Sequence, residues 1–267
     1  MNIIHGTLKG FFGNCNDAAR HISHCLANNE EWFVDWKDDT LYYDPKVGNN
    51  VWEYFFKQTF KYKEPNKRIG DFIELALQPN STPRETMHFL YKNYFIFNDK
   101  FQEHIGPHTE FFDKNRVLGV HIRRTDKFLL GAHGTTKEQL PVDLEIFQNE
   151  IDNVIKDYDA IYLATDCRTA CAHMKKIYGS KIIFNHNAIR GDHVYSIHDN
   201  FKNISGHVKA LDVLTDAYFL SKCKHLIWSS SNVSLAALYF NLNLTHLNLN
   251  VKYQNDTIIM ENGESLL

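Results

Sequence analysis

The chain has no uninterrupted apolar run of membrane length, and its first residues show no basic segment followed by an apolar one. Neither a membrane span nor a secretory leader is expected, and the simplest compartment is the cytoplasm. Without secretion, sequons such as Asn203-Ile204-Ser205 carry no meaning. Cysteine is scarce and scattered: Cys15, Cys25, Cys167, Cys171 and Cys223 are five in number, and an odd, irregularly spaced set argues against a disulfide framework. Cys167 and Cys171 have helical spacing but no second pair with zinc-finger geometry, so they read as ordinary thiols. Positive charge is not in excess. The net charge of −3 excludes a nucleic-acid polyanion as the expected partner and leaves room for a local basic site that takes a small anion. No repeat of fixed period is present, and no glycine-rich phosphate loop or dinucleotide fingerprint is complete.

What is present is core material. The 267 residues are 43% hydrophobic and 13% aromatic, which excludes general disorder and allows one large or two small domains. The opening reads as a strand (residues 2–7), then the glycine-punctuated loop Gly10-Phe11-Phe12-Gly13-Asn14, then a helix over 17–28 capped by Asn14 or Asn16, then a strand over 32–36. That is the start of a Rossmann-like half. Trp52, Tyr54, Phe55, Phe56 and Phe60 form an aromatic cluster, read either as local core or as a platform for stacking a sugar. Thr82-Pro83-Arg84-Glu85 is a helix start, and Gly106-Pro107 is expected to interrupt the helical stretch that runs to residue 115.

From residue 117 onward, short β-branched runs alternate with helical patterns, which predicts a parallel sheet. Strands are expected at 117–122, 160–166, 181–184, 224–228 and 245–249, with helices at 142–156, 168–178, 208–221 and 233–240. Three of these strands end in polar residues: Arg123-Arg124-Thr125-Asp126, Thr165-Asp166, and Ser229-Ser230-Ser231-Asn232. In a parallel sheet all three ends share one edge, where α/β proteins bind ligands. A helix N-terminus offers amides to a phosphate, an arginine adds a bidentate fork, and a carboxylate can take hydrogen bonds from a ribose or a base. Each part has a plainer reading: the serines and Asp166 could simply cap helices, and one arginine could pair with a core carboxylate. Two consecutive strand residues point to opposite faces, however, so one arginine is left for a ligand.

Gly119-Val120-His121-Ile122-Arg123-Arg124-Thr125-Asp126-Lys127 resembles the first signature of the fucosyltransferase superfamily, and its Thr-Asp-Lys ending is most similar to the α1,6 branch. Ile161 to Asp166 resembles the second signature. Asp216 to Ser221, Cys223-Lys224-His225 and Ser230-Ser231-Asn232 resemble the third, and Gly10 to Asn14 is similar to the N-terminal loop of the family. The resemblance implies an α/β GT-B fold: two Rossmann-like domains facing across a cleft, the small, irregular N-terminal one (1–112) for the acceptor and the C-terminal one (113–267) for the nucleotide sugar. It implies an inverting, metal-independent transferase that moves L-fucose from GDP-fucose to a hydroxyl of a glycan acceptor, with no cofactor beyond the donor. By the same resemblance Arg124, Asp126 and Asn14 are catalytic, with Arg124 on the diphosphate. His121, Arg123, Lys127, Asp166, Asp216, Ser230, Ser231 and Asn232 bind the donor.

Two departures matter. Phe128-Leu129-Leu130-Gly131 stands where the α1,6 branch has an acidic residue, which leaves Asp126, His133 and Glu138 as candidates for the base. Asp166-Cys167 stands where that branch has two acidic residues, which bears on recognition of the nucleobase. Asp157-Tyr158-Asp159 precedes a strand, away from the ligand edge, and reads as a solvated turn rather than a metal motif. Two alternatives remain: a transferase of the same scaffold using a UDP- or GDP-linked pentose or deoxyhexose, and a non-catalytic nucleotide- or glycan-binding domain.

Overall fold

The computed structural model describes residues 1–38, 40–59, 84–125, 140–191, 201 and 203–253. These group into two compact units: the described residues of Met1–His108, Asn203–Thr215 and Leu235–Asn243, and those of Thr109–Lys202, Asp216–Ser234 and Leu244–Leu267. Asp126, Lys127, His133 and Glu138 lie outside the described residues, as does Phe60.

The first unit opens as a β-α-β element. Strand β1 (Asn2–His5) pairs in parallel with β2 (Trp32–Asp35), and helix α1 (Phe11–Ala27) connects them. The expected loop at Gly10 to Asn14 is not a loop: α1 begins at Phe11, with Gly10 in extended conformation before it. Burial of the adjacent Phe11 and Phe12, each 2% exposed, draws the helix start forward, and the Tyr42 hydroxyl accepts from the Phe11 amide at 2.7 Å. An amide that would otherwise be orphaned at the helix end thereby finds a partner. The aromatic cluster is core: Trp36, Trp52, Phe55 and Phe56 are each 1% exposed, and Trp52 packs on Phe56 with ring centroids 4.6 Å apart. Asn50 ties the cluster to β2. Its amide donates to the Val34 carbonyl at 2.6 Å, and its carbonyl accepts from the Trp36 and Trp52 amides. Every polar group of this buried side chain is therefore satisfied, as burial requires.

Helix α2 is described over Arg84–Tyr94, and the cap and first helical position expected at Thr82 and Pro83 lie outside the described residues. Helix α3 (Asp99–Lys114) runs unbroken through Gly106 and Pro107, contrary to the expected interruption. Pro107 denies a donor to the Glu103 carbonyl, but both residues are exposed, and water can supply that bond.

The second unit holds a five-stranded, wholly parallel sheet: β3 (Val117–Ile122), β4 (Ala160–Thr165), β5 (Ile182–Ile183), β6 (His225–Trp228) and β7 (Thr245–Asn248), in the order β5-β4-β3-β6-β7. Strands β3 and β4 are buried at every position, as central strands covered on both faces must be. Helices α4 (Leu144–Val154), α5 (Arg168–Tyr178), α6 (Gly206–Lys222) and α7 (Asn232–Phe240) make the crossovers. Leu118, Val120, Ile122, Phe147, Ile151, Leu163 and Met174 form one continuous core. The sheet expected from the sequence is thus borne out. Gly119 is closely packed: a Cβ there would lie 3.2 Å from the Cys223 side chain and from Leu226, which would have to give by a few tenths of an ångström. Among the described residues no helix is long and apolar enough to cross a membrane.

Candidate active site

The strand order reverses at β3. The chain moves from β3 to β4 and β5 on one side, then returns to place β6 and β7 on the other. In open parallel sheets the crevice beyond the carboxyl ends at such a reversal is where ligands bind. Here that crevice is bordered by Arg123-Arg124-Thr125 after β3 and by Ser229-Ser230-Ser231 after β6.

The two strand ends are stitched together. The Ser229 amide donates to the His121 carbonyl at 3.1 Å, and the Ser229 hydroxyl accepts from the Arg123 amide at 3.0 Å. His121 Nδ1 shares a 2.5 Å hydrogen bond with the Ser234 hydroxyl in the first turn of α7. Burial pushes the His121 imidazole down to about 4, with Asp166 opposing and Arg123 reinforcing that shift, so the ring is neutral at pH 7. The Ser231 hydroxyl accepts from the Val233 amide at 3.2 Å and caps α7. The Ser230 amide donates to Asn250 Oδ1 at 2.6 Å, and Asn250 in turn donates to the Leu140 carbonyl, which braces the serine loop from beyond β7.

Asp166, at the end of β4, organises the turn after β3. Its carboxylate pairs with the Arg123 guanidinium and accepts from the Arg124 amide at 3.0 Å and the Thr125 hydroxyl at 2.6 Å. Its side chain is 7% exposed and that of Arg123 is 19% exposed. Arg124 departs to the other side, as strand alternation requires, and its guanidinium donates to the Val142 carbonyl at 2.8 Å.

The expected site residues are therefore brought together unevenly. His121, Arg123, Arg124, Asp166, Ser230, Ser231 and Asn232 converge on the carboxyl edge around the strand reversal. Asp216 does not join them. It accepts from the Tyr162 hydroxyl at 2.7 Å, and Tyr162 is the third residue of β4, three positions short of the strand's end, or about 10 Å at the usual rise. Asn14 belongs to the first unit and is 3% exposed. Its carbonyl accepts from the Thr7 amide and hydroxyl at 2.9 and 3.0 Å, and its amide donates to the Thr7 and Lys9 carbonyls. It locks the turn between β1 and α1. Four contributors had gone unassigned: Thr125, Ser229, Ser234 and Asn250. Ser229 and Thr125 sit inside the quoted motifs, whereas Ser234 and Asn250 become visible only once the strands are ordered.

Two strand ends, a helix start and two arginines thus meet at one edge of the sheet, a set of groups chemically suited to an anion. Among the described residues no group of three or more metal-ligating side chains comes together.

No protein-family model matches the chain, and neither does any curated protein sequence. Solved structures do match. A structure of NodZ α-1,6-fucosyltransferase soaked with GDP-fucose superposes with a TM-score of 0.58 at 13% identity, covering 90% of this chain and 92% of that one. The fold is that of NodZ. The same enzyme co-crystallised with GDP gives a TM-score of 0.56 at 14% identity, with 91% of each chain covered. NodZ from Bradyrhizobium gives 0.55 at 13% identity, with 88% of this chain and 90% of that one covered. At such identity the likeness to NodZ speaks for the fold. It agrees with the α/β architecture that the signatures implied and with the parallel sheet that the alternation of strands and helices predicted.

Proposed function

We propose that the chain is an inverting, metal-independent fucosyltransferase that moves L-fucose from GDP-fucose to a hydroxyl of a glycan acceptor. The observation that carries this reading is the Arg-Arg-Thr turn at the strand reversal, braced by Asp166 and facing the capped N-terminus of α7, in a chain with the fold of an enzyme whose crystals were soaked with GDP-fucose. In this reading residues 113–267 supply the donor site and residues 1–112 the acceptor side, with the later segments Asn203–Thr215 and Leu235–Asn243 grouped with the latter.

The chemistry follows from where charge develops. Cleavage of the fucose–phosphate bond leaves oxocarbenium character on the sugar and adds negative charge to the departing diphosphate. The Arg124 guanidinium and the positive end of α7 stabilise that charge without needing to reorganise. Arg123 is bound to Asp166 and holds the turn while lending its field to the same anion. His121 stays neutral and joins β3 to α7, which keeps the arginines and the serine loop in register. The acceptor hydroxyl attacks from the face opposite the diphosphate and loses its proton to a carboxylate, for which Asp126 is our candidate on its place in the motif, with Lys127 proposed as a donor ligand on the same ground. Asn14 shapes the β1–α1 turn on the acceptor side.

The Tyr162–Asp216 hydrogen bond supports a second reading. A carboxylate occupied there leaves the base contact unassigned, which favours the same scaffold acting on another nucleotide-linked deoxyhexose or pentose. Calorimetric titration with GDP and with UDP tests the base on which the first reading depends, and the sugar is tested by turnover of a donor panel. Tighter binding of GDP supports the first reading, and equal or tighter binding of UDP overturns it.

A further inference from the structure

A cavity of about 630 Å³ opens within the first unit, and nothing in the donor-site chemistry uses it. Its walls come from the Gly48–Asn50 turn, the short 3-10 helix Trp52–Tyr54, the first turns of α3 and the first turns of α6. Its size is that of a small-molecule site rather than a packing defect. The cavity is notable in a unit whose aromatic residues are otherwise close-packed.

We infer that this cavity is a saccharide subsite that takes an uncharged pyranose ring. Its lining combines the two surfaces such a ring needs. The first is aromatic. His207 lies parallel to Phe55 with centroids 5.4 Å apart and an interplanar angle of 2°, so one face of the imidazole is covered, and what it offers the cavity is its other face or its edge. Tyr54 meets His207 edge-on, and its hydroxyl is already bonded to the Asp44 and Gly48 carbonyls, so it contributes ring surface rather than a polar group. The C–H face of a sugar packs against surface of this kind.

The second surface is a polar lip. Glu53 and Asp99 line the opening. One oxygen of Glu53 accepts from Gln58 at 3.0 Å and one oxygen of Asp99 accepts from Lys57 at 2.7 Å, which holds both carboxylates in place while a second oxygen of each can accept from a sugar hydroxyl. Burial lowers the affinity of His207 and His104 for protons, so of the basic side chains that line the cavity Lys100 is the one that carries a charge. Asp44 faces His207 with the opposite influence, and Lys100 and His104 reinforce the lowering. His104 shares a 3.1 Å hydrogen bond with Thr215, and among the described residues no metal-ligating group of three is present, which argues against a metal there. The lining is more apolar than polar and is rimmed by Glu53, Asp99 and Lys100, a combination that suits the C–H face and the hydroxyl rim of a pyranose ring.

The test is saturation-transfer NMR on the full chain with glucose, galactose, mannose and N-acetylglucosamine, with and without saturating GDP. We expect transfer to at least one of them, unchanged by GDP. It should be lost in Leu211→Trp, which fills the cavity from α6, and weakened in Glu53→Ala, which changes only an exposed residue and guards against misfolding of the first variant. GDP binding should be intact in both variants. Absence of transfer from all four sugars overturns the assignment, as does transfer that survives both substitutions or is abolished by GDP. Because the GDP titration is read separately, failure of this subsite leaves the donor-site reading standing, and the converse holds.

Discussion

Asp166 and Arg123 form an ion pair across the carboxyl ends of β4 and β3, and the same carboxylate receives the Arg124 amide and the Thr125 hydroxyl. One side chain on a neighbouring strand thus holds three consecutive residues of the turn proposed to grip the donor. Removing one partner of such a pair strands the other charge, at a cost of about 3–5 kcal/mol where burial is complete and less where, as here, Arg123 keeps some exposure. Asp166→Ala is expected to lower the urea midpoint and to abolish transfer. A variant of wild-type stability and activity would show that the turn holds itself.

Arg124 should behave differently. Its guanidinium reaches the Val142 carbonyl, a contact of modest net worth of about 1 kcal/mol. Arg124→Ala is expected to fold with a nearly unchanged melting temperature and to lose transfer by two or more orders of magnitude. Full activity in a folded preparation of that variant would remove Arg124 from the site.

The buried His121 makes stability pH-dependent. Its folded-state pKa, about 4, lies below the ordinary 6.5, so the unfolded chain binds a proton that the folded chain refuses. The contribution is fully present above about pH 6.5 and is lost as pH falls from there through about 4, amounting to about 3 kcal/mol over the whole interval. Urea unfolding of the wild type and of His121→Asn at pH 7 and pH 5 checks it: the variant should lose less stability between the two pH values.

Gly206 opens α6 against the backbone of Tyr42. A Cβ there would lie 2.3 Å from the Tyr42 carbonyl carbon, a distance that only a backbone shift relieves. Gly206→Ala should destabilise the chain by about 2 kcal/mol or more, whereas alanine at Gly106, which has open space, should be tolerated or slightly stabilising. Thermal melts of the two variants make the comparison.

Turnover is expected to persist in excess EDTA, since arginines and the positive end of α7 are proposed to do the work of a metal. Loss of activity on chelation, restored by manganese, would contradict the proposed mechanism.

The legible parts of this chain are those where local pattern and tertiary demand agree. Val117 to Ile122 and Ala160 to Thr165 read as buried strands from their apolar, β-branched content, and both are. Alternation with helices then dictated the parallel sheet. The misread parts are those where distant contacts override local signals. Gly10 and Gly13 suggest a loop, yet the burial of Phe11 and Phe12 and the Tyr42 hydroxyl make the stretch a helix start. Gly106-Pro107 suggests a break, yet an exposed helix face tolerates it. The site was legible as polar strand ends, because parallel strands align those ends whatever their order. Who binds whom was not. That Asp166 faces Arg123, that His121 meets Ser234, and that Asp216 is held by Tyr162 depend on strand order and helix placement, which periodicity does not carry.

The most direct measurement is release of GDP and transfer of sugar from radiolabelled GDP-fucose, run beside GDP-mannose, UDP-galactose and UDP-xylose on the same preparation. The account predicts turnover of GDP-fucose well above that of the other three, and its loss in Arg124→Ala. Faster turnover of any of the others, or binding of GDP with no turnover of any donor, would contradict it.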